Sequence, residues 1–127
     1  MHVKVRLTQY DLIEHTETVL ADGQGILNDT TLFYSEKDNP GVRHEIVLEE
    51  KHLVIRRIAD IVSETDLIIG ERSMARVLSP YGVMVLETYT EEYTLGEGKI
   101  TAEYHIFQGD AEVTHQKLIW ELKGVQT

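Results

Sequence analysis

Apolar residues in this sequence recur with a period of two, and they do so along almost the whole chain. The segment "HVKVRLT" sets Val3, Val5 and Leu7 on one side and His2, Lys4, Arg6 and Thr8 on the other. Successive side chains of a strand point to opposite faces, so this alternation predicts a strand with one buried and one wet face. The pattern returns in "VRHEIVLEE", "HLVIRRI", "GVMVLETYTEEYTL", "KITAEYHIF" and "EVTHQKLIWELK". The last three are joined by "GEG" (Gly96 to Gly98) and "GD" (Gly109-Asp110), links of hairpin length and composition. A tight hairpin is also predicted to close near Glu49 to Lys51.

The remaining segments fit the same scheme. "EHTETVLADGQGILN" is interrupted by Gly23 and Gly25, as strands are at a bulge or a strong bend. "TTLFYSE" follows, then the turn "KDNPG". "TDLIIGERSMARVLS" predicts one or two short strands around Gly70. Only "IADIVSE" is compatible with a helical turn, and it is too short for a helix. Strands in this succession, roughly eight to ten without intervening helices, predict an all-β, antiparallel, up-and-down closed β-barrel. Closure removes exposed sheet edges. At 127 residues, one domain spanning 1–127 is expected, large enough to bury a core without disulfides or metal.

Charge and composition narrow the function. The chain carries 12 Lys and Arg against 22 Asp and Glu, a net charge of −10. Such a chain repels phosphate backbones and anionic lipid surfaces unless it carries a local basic patch, and only Arg56-Arg57 stand together. Neither a nucleic-acid nor a membrane partner is therefore expected. There is no cysteine, which removes disulfides, thiol nucleophiles and thiolate metal sites. The N-terminal segment alternates from the start and has no apolar core of a signal peptide, and no run reaches the length of a membrane helix. A cytoplasmic protein is the expectation.

The Gly109-Asp110 link predicts a register. A two-residue loop sets Gln108 opposite Ala111, Ile106 opposite Val113, Tyr104 opposite His115 and Ile100 opposite Ile119. The inner face then carries Ile100, Ala102, Tyr104, Ile106, Val113 and Ile119, with His115 and Lys117 as polar intrusions. His105 falls on the other face and cannot share a metal with His115. For the Gly96 to Gly98 link, a three-residue loop sets Glu91 opposite Glu103, an unfavourable pair of like charges. A bulge at Gly98 avoids that pair and brings Tyr89 and Tyr93 onto the apolar face.

No motif assigns chemistry. Six histidines are present, but none is spaced as HxH or HExxH, so solvated or singly hydrogen-bonded histidines are expected and no metal site. The carboxylates are many, and Glu87, Glu91 and Glu92 read as a solvated strand face. There is no GxSxG, no GxGxxG and no P-loop, hence no expected nucleophile or cofactor. An enzyme is not expected. Tyrosine combines apolar area with a hydroxyl that seeks a partner. Tyr34, Tyr89, Tyr93 and Tyr104, with Arg56 as a charged anchor and His115 intruding, are the candidates to line a ligand cavity inside the barrel. The competing expectation is a packed interior. The functions that follow are binding of a small apolar or amphipathic ligand, or a non-catalytic interaction or structural role, with a homodimer among its forms.

Two runs carry a resemblance. "RSMARVLSPYGVMVLETYTEEYTL" and "KITAEYHIFQGDAEVTHQKLIWEL" resemble the bacterial YwiB-like β-barrel family of unknown function. The shared features are the corner Ser79-Pro80-Tyr81-Gly82, Thr90 at the end of the extended segment, and Tyr104 in the final hairpin. Gly25, the "YSE" of Tyr34 to Glu36, and Arg56 agree more loosely. "GERSMARVLS" lacks a Phe that the family often carries before the corner, which points to a trimmed hairpin there. The resemblance implies a calycin-type, lipocalin-like barrel and brings no catalytic residues with it. By itself "SPYG" reads as a type I turn with Pro80 at its second position, a structural corner that launches a long strand.

Overall fold

The computed structural model describes residues 1–124. These form ten antiparallel strands: β1 (His2–Asp11), β2 (Thr16–Asn28), β3 (Thr31–Ser35), β4 (Arg43–Leu48), β5 (His52–Ile58), β6 (Val62–Ile68), β7 (Arg72–Ser79), β8 (Gly82–Gly96), β9 (Lys99–Gln108) and β10 (Ala111–Gly124). Each strand pairs with its neighbours in sequence, and β1 pairs with β10 to close the barrel. The all-β, up-and-down closed barrel expected from the alternation is what forms. "IADIVSE" makes no helical turn; it supplies the β5–β6 link and the start of β6.

Inward positions follow the apolar alternation. Val3, Val5 and Leu7 of β1 are buried, as are Ile46 and Leu48 of β4 and Leu53 and Ile55 of β5. They form one cluster with Leu32, Leu67, Ile100 and the fully buried Trp120. This cluster fills the barrel where β1 begins and β10 ends. At the other end, framed by the β1–β2, β3–β4 and β5–β6 links, the lumen is lined by polar side chains. The outward face carries Lys4, Arg6, Glu103 and Glu121, the reverse of a barrel whose apolar face meets lipid. Among the described residues, no helix is long and apolar enough to cross a membrane.

Among the described residues, three β-bulges reset the register: one leaves Leu20 of β2 unpaired opposite Leu7 and Thr8, close to but not at Gly23 and Gly25, and the other two overturn part of the predicted pairing. Gln108 does pair with Ala111, but an extra residue at Val113 then sets Thr114 opposite Ile106, Gln116 opposite Tyr104 and Trp120 opposite Ile100. A one-residue shift exchanges the two faces of a strand. Beyond Val113, Gln116, Leu118 and Trp120 therefore point inward, and His115, Lys117 and Ile119 point outward. The intrusion of His115 and Lys117 into the core disappears, because they are not in it.

The third bulge lies at Glu91, not at Gly98. Gly96 pairs directly with Lys99 around the tight link Glu97-Gly98, where Gly98 has a φ of 72°. The irregularity falls between Thr90 and Glu92, so Tyr93 pairs with Ala102 and points inward while Tyr89 pairs with His105 and points outward. Glu92 ends up opposite Glu103. Lys117, which is opposite Glu103 on β10, lies 3.7 Å from Glu92 and offsets that repulsion.

One side of the barrel is closed by a side chain. Strands β6 and β7 pair only over Val62–Thr65 and Ala75–Leu78, then diverge. Across the opening, Thr88 of β8 donates its hydroxyl to the Asp66 carbonyl at 2.9 Å, and the Gly70 amide donates to the Thr90 carbonyl at 2.8 Å. The corner is a hairpin tip: Ser79 pairs with Gly82, its hydroxyl accepts from the Tyr81 amide, and Tyr81 is 99% exposed.

Candidate functional site

The alternation of β4 and β5 is broken by charge at one end of each inward row. His44, Ile46 and Leu48 face inward on β4, and Leu53, Ile55 and Arg57 face inward on β5. His44 and Arg57 are direct cross-strand partners. Glu36 follows β3, continuing the inward row of Leu32 and Tyr34. Three ionisable side chains thus converge on the polar end of the lumen.

There they border a cavity of about 290 Å³. Its apolar walls include Leu7, Leu20, Ile55, Leu118 and Trp120, and its polar lining includes Gln9, Ser63, Thr65 and Gln116. An eight-stranded barrel is just wide enough to be filled or to hold one small ligand, and diameter grows with strand number. Ten strands provide that room even with Trp120 and Tyr104 inside.

The polar groups form a directed hydrogen-bond relay. The Trp120 indole Nε1 donates to the Tyr34 hydroxyl at 2.8 Å. That hydroxyl lies 3.3 Å from His44 Nδ1, and His44 Nε2 lies 2.6 Å from Glu36 Oε2. Arg57 closes the chain with Nε to Glu36 Oε2 at 2.7 Å and Nη2 to Oε1 at 3.3 Å. An indole N–H can only donate and an ionised carboxylate can only accept. With His44 neutral, the carboxylate takes the Nε2–H and Tyr34 therefore donates to Nδ1. The Tyr34 and His44 rings stack with centroids 4.9 Å apart, which holds the relay in place.

The pKa shifts agree with that proton arrangement. Burial lowers His44, and Arg57 adds to the effect, although Glu36 pulls the other way. Burial would raise Glu36, but the hydrogen bonds from Arg57 and His44 outweigh it and hold the carboxyl below its usual range. Burial raises Tyr34 well above an ordinary phenol. Tyr104 is pushed up to about 12 by burial, opposed by the hydrogen bond that Gln116 donates to its hydroxyl. Near neutrality the lining carries one anion, Glu36, and one cation, Arg57, locked to each other. Arg57 keeps 42% of its side-chain surface, whereas Glu36 keeps 14%, so the pair sits at the mouth with Arg57 outermost.

Of the residues expected inside, Tyr34 belongs to the relay and Tyr104 lines the cavity. Tyr93 is inward and buried, but at the packed end, where its hydroxyl donates to the Glu49 carbonyl at 2.7 Å. Arg56, Tyr89 and His115 are on the outer wall. Arg56 pairs there with Glu45 at 2.9 Å and Glu64 at 3.4 Å. The anchor is its neighbour Arg57, which continuing the Leu53–Ile55 alternation by one step would have selected. His44 was equally readable from the Ile46–Leu48 row. Trp120 and Gln116 were not, because their inward placement depends on the Val113 bulge. That bulge also sets His105 and His115 on the same face, directly opposite each other with ring centroids 3.9 Å apart. With Glu91 and Glu103 they form a group whose ligand atoms all lie within 4.8 Å of one another.

The same architecture is seen in a solved structure. The crystal structure of the YwiB protein from Bacillus subtilis superimposes with a TM-score of 0.61 over 97% of this chain and 91% of that one. Sequence identity is 17%, so the likeness is one of fold. Among curated proteins, none matches the chain. Residues 3–119 match the family described as a domain of unknown function, DUF1934, and the chain belongs to that family.

Proposed function

We propose that this barrel binds one small, uncharged, amphipathic molecule in its lumen. The observation that carries the reading is the cavity itself: about 290 Å³, lined by both apolar and hydrogen-bonding side chains. Small-ligand sites run upward from roughly 300 Å³, so the occupant is a compact molecule and not a long acyl chain. The Glu36–Arg57 pair cancels its own charge, so a charged ligand gains little at the mouth. Gln9, Ser63, Thr65 and Gln116 offer donors and acceptors to an amide or hydroxyl group, over the apolar surface of Trp120 and Leu118.

Binding, not catalysis, is the role that fits these groups. Both His44 nitrogens are engaged, the Glu36 carboxyl is held by two partners, and the Tyr34 and Tyr104 hydroxyls are pushed up. Each of these groups is thus committed to a partner inside the barrel, an arrangement that serves binding. The low charge of the lumen and the acidic, cysteine-free composition suit a protein of the cytoplasm.

Trp120 is the single tryptophan and lines the cavity, so it reports occupancy directly. Benzamide, benzoate and toluene would be titrated against its fluorescence. Saturable changes should be strongest for benzamide and abolished in Ser63→Phe, which fills the lumen. Absence of any saturable change, or an unaltered response in Ser63→Phe, refutes the reading.

A second reading rests on the β7–β8 hairpin. Leu78, Tyr81, Val83, Met84 and Val85 are exposed there, and Ile61 lies beside them. Contiguous exposed apolar surface of this kind marks protein contact. We infer self-association through this hairpin, as a homodimer. Light scattering should give a dimer mass that falls to a monomer in Tyr81→Asp with Val83→Asp; a wild-type monomer at high concentration removes this reading.

A further inference from the structure

We propose that His105, His115, Glu91 and Glu103 form a binding site for a first-row divalent metal ion, of the zinc class, on the outer wall of the barrel. The four residues come from three adjacent strands, β8, β9 and β10. The bulges of β8 and β10 are both needed to assemble them. The extra residue at Val113 turns His115 to face His105, and Glu91 is itself the extra residue of β8. Bulges re-aim side chains in this way next to functional sites.

The ligand geometry is already close. His105 Nε2 lies 3.2 Å from Glu91 Oε1, and His115 Nε2 lies 3.1 Å from Glu103 Oε2. The two imidazoles stack at 3.9 Å with planes 18° apart, which sets the two histidine–carboxylate contacts side by side. All four ligand atoms lie within 4.8 Å, against about 3.3 Å between ligands of a tetrahedral zinc with bonds of about 2.0–2.1 Å. Glu91 keeps 47% of its side-chain surface exposed, so its carboxylate has room to adjust toward a shared ion.

A second feature points to a cation. The Nδ1 atom of His105 is hydrogen-bonded to the Glu112 carboxylate. A carboxylate on the far nitrogen is the arrangement that orients a metal-bound histidine and sets its tautomer. His105 Nε2 then faces Glu91 Oε1 at 3.2 Å, a gap in which the carboxylate accepts from a ring proton or shares a cation. Tyr89 and Phe107 flank the ring at centroid distances of 6.4 and 6.0 Å and restrict its rotation. Two imidazoles and two carboxylates suit zinc, nickel or copper better than magnesium or calcium, which prefer oxygen ligands.

The test uses the full-length chain stripped with a chelator and titrated with zinc chloride. Calorimetry should give one zinc per chain and the thermal midpoint should rise, with magnesium chloride giving neither. His105→Gln and His115→Gln should each weaken zinc at least ten-fold, and Glu112→Gln roughly ten- to a hundred-fold, although it removes no ligand. His15→Gln, in the exposed β1–β2 turn, should bind as the parent does. Long-range ¹H–¹⁵N spectra of the unsubstituted protein locate the ligands without relying on any variant. Zinc should shift the ring nitrogens of His105 and His115 and leave those of His2, His15 and His52 in place. Zinc binding unaffected by both His105→Gln and His115→Gln, shifts at other histidines, or no binding at all overturns the proposal.

Discussion

Replacing Tyr34 with Phe removes one oxygen atom and breaks the relay at its centre. In the native barrel that hydroxyl accepts from Trp120 and lies against His44 Nδ1. Trp120 is fully buried and His44 is 5% exposed, so water cannot replace the missing partner at the indole and reaches the imidazole poorly. A buried polar group left without a partner costs about 1–3 kcal/mol. Two such groups are created, and the lost desolvation of the hydroxyl offsets part of the sum, leaving a destabilisation of about 2–4 kcal/mol. For a chain of this size each kcal/mol lowers the melting midpoint by roughly 3–5 °C, so the midpoint should fall by roughly 10 °C. Urea and thermal unfolding followed by far-ultraviolet circular dichroism measure both quantities. A cycle with Trp120→Phe separates the hydrogen bond from packing, because Tyr34→Phe should cost less once the indole N–H is gone. A loss below about 0.5 kcal/mol for Tyr34→Phe, with additivity within about 0.3 kcal/mol in the cycle, would show that the relay contributes nothing to stability and refute the reasoning.

Two further outcomes follow from the same geometry. His44 is lowered in the folded state, so it stabilises the fold above the ordinary histidine pKa and that contribution fades as pH falls through its folded value. His105, where burial is outweighed by Glu112 and Glu91, is raised, so its contribution is complete at low pH and fades as pH rises through its folded value. Histidine ring-proton titrations in the absence of added metal should place His44 below and His105 above an ordinary histidine; the reverse order contradicts the tautomer assignments. At Gly25 an added Cβ would stand 2.7 Å from both the Phe33 carbonyl oxygen and Val5 Cγ2, whereas at Gly23 it would meet nothing within 4 Å. Gly25→Ala should therefore cost about 1–3 kcal/mol in urea unfolding while Gly23→Ala is neutral or slightly stabilising, and equal effects would count against the close approach of β1 to β2.

Local periodicity determined most of this protein. A residue's face on a strand depends only on its parity, so "HVKVRLT", "RHEIVL" and "HLVIRRI" separate core from surface; followed strictly, the same parity selects His44 and Arg57, not the expected anchor Arg56. Most links have two or three residues and force neighbouring strands to pair in order, so a sequence of strands without helices becomes an up-and-down sheet with only its closure left to add. What parity cannot supply is the position of an extra residue. Val113 and Glu91 look like any other members of their strands, and a bulge there costs little locally. Its place is chosen by the whole barrel, which must bury Trp120 opposite Ile100 and Leu118 opposite Ala102 while its strands bend around a closed wall. Those two bulges decided that Gln116 lines the cavity, that Tyr89 leaves it, and that His105 and His115 meet. The relay is tertiary for the same reason: Trp120 and Tyr34 are 86 positions apart in the chain, and only closure of β1 on β10 brings them into contact.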